Sequence, residues 1–154
     1  MTAEGERIRK IFDRHVDSMR NRSVKWVYRG DGKRSDRKIE KYLRYYCLPI
    51  DANEVIALMD TTVFRTGKEG CLFTESGIIV KEVISKLYYL KFSEITGAEV
   101  LEERDEYYRL KTSVWVHFKD GTKKQIFDYY LNKYTFVQYI NDVIAECGVK
   151  DDKD

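Results

Sequence analysis

The sequence predicts an α+β domain, with seven antiparallel strands from Val55 onward, a C-terminal helix, and two helices ahead of them. Three observations carry this. Between Val55 and Phe92, β-branched and aromatic residues fall into short runs (VIALMDTT, CLFT, IIVKEV, LYYLKF), which suit strands better than helical spacing. Turn signals at Gly67–Gly70 and Glu75-Ser76-Gly77 separate those runs. Both ends of the chain instead repeat apolar residues at steps of three and four, the helical period.

The elements follow in order. Residues 2–22 place Ile8, Ile11, Phe12, His15, Val16 and Met19 on one face of an amphipathic helix. Val24–Tyr28 is a short β-like or extended piece, and Gly30-Asp31-Gly32 turns the chain. A second helix, capped by Ser35 or Asp36, runs through Cys47 with Ile39, Tyr42, Leu43 and Tyr46 inward, and Pro49 ends it. Past the meander come a strand at Gly97–Glu103, an acidic turn and a strand at Tyr108–Phe118. In the last of these Val114, Val116 and Phe118 share one face, and Trp115 and His117 the other. Asp120-Gly121 is a hairpin signal, and Lys123–Tyr130 returns with Phe127 and Tyr129 on the core side. Asn132 caps the last helix, whose stripe is Phe136, Ile140, Val143, Ile144 and Cys147, with Gly148 at its end.

With 154 residues, the chain fits one domain and buries about 70% of its unfolded surface on folding, without need of a disulfide or metal. Net charge is only +2, but it is unevenly spread. Residues 1–49 carry 14 Lys and Arg against 7 Asp and Glu, whereas residues 50–154 carry 14 against 19. Two readings of that asymmetry stand: internal complementarity, or a basic face for an acidic partner. Three cysteines (Cys47, Cys71, Cys147) without a CxxC pair fit reduced thiols. A charged start and the lack of any long apolar run point to a cytoplasmic protein.

The segment EVIALMDTTVFRTGKEGCLFTESGIIVKEV contains a Leu72-Phe73-Thr74-Glu75-Ser76-Gly77 hairpin, and YYLKFSEI then leads an aromatic strand into Phe92-Ser93-Glu94-Ile95. With the order of seven strands and one helix, this resembles the bacterial pleckstrin-homology-like (PH-like) domain family over about residues 54–147. The resemblance implies a seven-stranded half-open barrel over residues 50–148, plugged by the last helix. Residues 1–49 would be a basic helical extension packed on it, and residues 149–154 a frayed tail. It implies little about activity, because this fold hosts many partners. Lipid-binding members hold inositol phosphates with cations on the first two strands and the loop between them. Here that loop offers Arg65 and Lys68, but VIALMDTT and CLFTE contain no Lys or Arg, and the former contains Asp60. A phosphate cage needs several converging cations, so phosphoinositide binding is disfavoured.

No pattern for catalysis stands out. GxSxG and HExxH are absent, Gly67-Lys68-Glu69-Gly70 lacks the spacing of a phosphate-binding loop, and two histidines with three scattered thiols make a poor metal site. His15 reads as a core-edge residue, and the acidic run Glu99–Glu106 as a solvated turn. The basic, aromatic-laced stretch from Lys25 to Lys38 is the best candidate surface, since cations and aromatics serve protein interfaces and nucleic acids alike. The expectation is therefore a non-enzymatic binding module without cofactor whose partner is another protein, with a bacterial immunity (toxin-neutralising) protein as one specific form. Its expected contact residues are Trp26, Tyr28, Arg29, Lys33, Arg34, Arg37, Arg65, Lys68, Trp115 and His117. Nucleic acid, an anionic membrane and a homo-oligomer are the alternatives.

Overall fold

The structure, a computed structural model, describes residues 2–19, 25–60, 70–81, 87–126 and 131–147. Helix α1 (Ala3–Met19), strand β1 (Lys25–Tyr28) and helix α2 (Lys33–Tyr45) come first. Strands β2 (Val55–Asp60), β3 (Gly70–Thr74), β4 (Gly77–Lys81) and β5 (Tyr88–Lys91) follow. Then come β6 (Ile95–Arg104), β7 (Leu110–Phe118), β8 (Lys123–Ile126) and helix α3 (Lys133–Cys147). Arg65, Lys68, Phe127, Tyr129 and Gly148 lie outside the described residues.

The expected seven-stranded barrel behind two N-terminal helices is not what forms. Eight strands make two separate antiparallel sheets, in the orders β1-β2-β3-β4-β5 and β6-β7-β8, and these do not close into a barrel. The added strand is β1, which lies between the two front helices and pairs with β2 from Lys25↔Asp60 to Tyr28↔Ala57. The front of the chain is thus built into the sheet and does not simply precede it. Side-chain contacts lie at the sheet edges. The Asn141 amide of α3 accepts from the Ala98 N–H at 2.9 Å and donates to its carbonyl at 3.0 Å, covering the free edge of β6 beside a bulge. Near the other edge, the Lys124 ammonium of β8 sits 4.2 Å from the centre of the Tyr88 ring of β5.

Packing explains the unbroken apolar runs. Every residue of β2 and β3 is buried, because the larger sheet is covered on both faces. One face sends Met59, Phe73, Ile78 and Val80 into a core shared with Ile8, Phe12 and Met19 of α1, Phe136 and Tyr139 of α3, and Val114 and Val116 of β7. The other face sends Val55, Leu58, Leu72 and Ile79 against Ile39, Tyr42 and Leu43 of α2. Alternation along each strand persists, but both sets are apolar. Two glycines permit the close approaches. A Cβ on Gly77 would lie 2.2 Å from the Leu90 carbonyl oxygen, and one on Gly5 would lie 2.3 Å from the Glu75 carboxylate. That carboxylate receives Nε of Arg9 at 2.7 Å, tying α1 to the β3–β4 turn.

Candidate binding surface

Helix α2 starts after Gly32 (φ 139°) with no side-chain cap, so the expected cap at Ser35 or Asp36 does not form. Asp36 is occupied elsewhere: its Oδ1 accepts from the Gly30 N–H at 2.8 Å and lies 3.6 Å from Nη1 of Arg29. The same guanidinium nitrogen is 3.3 Å from Glu40 Oε2, and Nη2 donates to Asn53 Oδ1 at 3.3 Å. One arginine at the end of β1 therefore draws both carboxylates of α2 to a single side of the helix.

The consequence appears around the helix circumference. At about 100° per residue, Lys33, Arg44, Arg37, Lys41 and Arg34 fall within one arc of about 100°. Ile39, Tyr42 and Leu43 face the sheet. Asp36 and Glu40 form one border of the basic arc. Lys38 forms the other, where its ammonium lies 3.0 Å from Oδ2 of Asp60, a fully buried carboxylate at the end of β2. All five arc residues are exposed, and none of them is in an ion pair among the described residues. From Lys33 to Arg44 the stripe runs about 17 Å.

At its C-terminal end α2 closes with a Schellman turn. The Leu48 N–H donates to the Leu43 carbonyl at 2.9 Å and the Cys47 N–H to the Arg44 carbonyl at 3.1 Å, with Cys47 in the left-handed region (φ 52°). The chain doubles back there and leaves an open groove of about 580 Å³, lined by Leu43, Leu48, Ile50 and Ala52 together with Glu40, Arg44 and Cys47. Leu48, Ile50 and Ala52 are half-buried and continuous with the core beneath α2.

The expected contact residues divide. Arg29, Lys33, Arg34 and Arg37 lie on or beside this face, although Arg29 is already engaged. Trp26 and Tyr28 point into the other core instead, with the Trp26 ring stacked on Phe73 at 5.6 Å and 6.0 Å from Phe12. Trp115 and His117 lie on the outer face of the smaller sheet, which packs over the opposite side of the larger sheet from α2. Trp115 donates to Ser113 Oγ at 3.1 Å beneath the Lys123 ammonium, and His117 Nε2 lies 2.5 Å from Glu99 Oε2. The two sets do not form one surface, and Arg65 and Lys68 lie outside the described residues. Lys41 and the groove are not among the expected contact residues. The spacing 33-37-41-44 is the signal for Lys41, whereas nothing local marks the groove.

Elsewhere, His15 Nε2 lies 2.6 Å from Asp142 Oδ2, and Arg14 Nη2 lies 2.6 Å from Glu146 Oε2. These pairs bind α1 to α3, and the bond to Glu146 leads the interactions that raise the Arg14 pKa. Among the described residues, no three His, Cys, Asp or Glu side chains are grouped so as to hold a metal ion. None of the described helices is long and apolar enough to cross a membrane.

No protein-family model, curated protein or solved structure matches this chain, so the resemblance to PH-like domains gains no support from known proteins.

Proposed function

We propose that this protein is a binding module that docks an acidic surface of a partner protein on α2. One observation carries the reading: five exposed cations share one face of the helix without an ion-pair partner among the described residues, while the carboxylates of the same helix are drawn aside to Arg29. Such a face focuses positive potential, which speeds encounter with an anionic surface and sets its orientation. A protein is favoured over a bare polyanion because a groove that presents the apolar side chains of Leu48, Ile50 and Ala52 adjoins the cations. The rest of the chain also carries excess negative charge, with 14 Lys and Arg against 19 Asp and Glu beyond residue 49. That excess opposes engagement with an extended nucleic acid or an anionic bilayer.

The test compares three labelled probes at several salt concentrations: an oligoglutamate peptide, a single-stranded oligonucleotide and phosphatidylserine vesicles. The expected outcome is salt-sensitive peptide binding that falls at least about tenfold in an Arg37→Glu/Lys41→Glu/Arg44→Glu variant, whose circular dichroism stays unchanged. Preference for the oligonucleotide or the vesicles would reassign the face to those partners. Peptide binding that ignores the triple substitution would remove α2 from the function.

A further inference from the structure

The groove at the end of α2 says what kind of acidic segment the helix face takes. We infer that the partner presents an acidic run adjoining an apolar side chain, with the run lying along the stripe and the apolar side chain seated in the groove. This rests on the docking reading above and deepens it. Three features of the groove carry the inference. It is continuous with the stripe, since Arg44 belongs to both. It offers apolar surface that is only partly covered: Leu48, Ile50 and Ala52 pack on the core beneath α2 yet keep part of their surface in water. Covering them yields the free energy of apolar burial. Its one acidic member, Glu40, is 3.3 Å from the Arg29 guanidinium, so it opposes an incoming anion less than an isolated carboxylate would.

The geometry limits the length of the segment. A stripe of about 17 Å matches five or so residues of extended chain, at about 3.3 Å each. A short linear segment is enough, and its volume suits the groove: about 580 Å³ is ample for one large aliphatic or aromatic side chain. The groove wall is held by backbone, because the Schellman bonds of Cys47 and Leu48 fix the return of the chain. The anchor site is therefore formed before any partner arrives, and little ordering cost opposes binding.

The experiment uses the full chain and two fluorescein-labelled peptides, each a run of about six glutamates followed by either leucine or serine, made in both polarities. The leucine peptide should bind about tenfold more tightly than the serine peptide, the difference expected for sheltering one aliphatic side chain in a half-open apolar site. A Leu48→Ser/Ile50→Ser variant should erase that difference while leaving the salt dependence intact. The Arg37→Glu/Lys41→Glu/Arg44→Glu variant should lose both peptides. Equal affinity of the two peptides for the native protein overturns the anchor and leaves the docking reading standing. Should the native protein bind neither peptide, both readings fall. The comparison between peptides on native protein needs no altered chain, so a poorly folding groove variant does not blunt it.

Discussion

At the scale of single residues, buried polar atoms without partners mark where this fold bears a cost. Tyr139 is fully buried among Phe12, Phe73 and Phe92, with ring centres 5.8, 5.9 and 6.3 Å away, and its hydroxyl has no hydrogen-bond partner among the described residues. Tyr42, beneath α2, is in the same position. Burial drives both phenol pKa values far above the ordinary range. An unsatisfied buried hydroxyl costs on the order of 1 kcal/mol, and the ring contacts do not depend on it. Tyr139→Phe should therefore raise stability by about 1 kcal/mol in urea unfolding, with an unchanged m-value. A clear loss of stability would show instead that the hydroxyl is bonded, for example through an internal water. Asp60 contrasts with these tyrosines, since its buried carboxylate is approached by the Lys38 ammonium at 3.0 Å.

At the scale of the element, α2 shows how one helix divides its labour. Its inner residues cover the sheet, its carboxylates turn toward Arg29, Lys38 reaches Asp60, and its five remaining cations have no ion-pair partner among the described residues. Its C-terminal turn carries a strain the sequence makes visible only in retrospect. Cys47 adopts φ 52° at the position where glycine is usual, at a penalty of about 1 kcal/mol for a residue with a Cβ. Since Cys47 is exposed, its side chain gives little packing in return. Cys47→Gly should raise the melting temperature by about 2–4 °C, as differential scanning fluorimetry would show. A fall in melting temperature would mean that the thiol packs more than its exposure suggests.

For the whole molecule, the two sheets differ in how they are covered, and that should govern their dynamics. The five-stranded sheet is enclosed by α2 on one side and by α1, α3 and the smaller sheet on the other, whereas the outer end of β6 is exposed from Leu101 to Arg104. Beyond it, the turn holds Tyr107 and Tyr108 at 69% and 82% exposure, with Tyr108 at φ 62°. Asp105 organises that turn by accepting from the Arg109 and Tyr107 N–H groups, which hold its carboxyl below the ordinary range, the Arg109 bond foremost. Native-state hydrogen exchange should find the amides of Leu58, Leu72 and Ile79 opening only with global unfolding. Those of Leu101 to Arg104 should exchange through local opening. Equal protection of both groups would contradict this division of the fold.

Much of this molecule is determined by local sequence. The period of three and four at each end yields α1 and α3, Asn132 caps α3 by accepting from the Tyr134 and Thr135 N–H groups, and Asp120-Gly121 turns β7 into β8. These signals act between residues a few positions apart, so the chain states them without reference to the rest. The sheet arrangement is different in kind. Four residues at Lys25–Tyr28 become a strand only because β2 offers them an edge, and the runs VIALM and GIIV are wholly apolar because helices cover both of their faces. The binding surface divides in the same way. The cation spacing of α2 is written in the sequence, but the lack of ion-pair partners for those cations among the described residues is not. It depends on Arg29 reaching Asp36 and Glu40, and on Lys38 reaching Asp60, contacts made only once strand, helix and sheet have come together. Tertiary structure also separated Trp26 and Trp115 from that surface, because a side chain's direction is set by whichever face of the sheet finds a core to pack on.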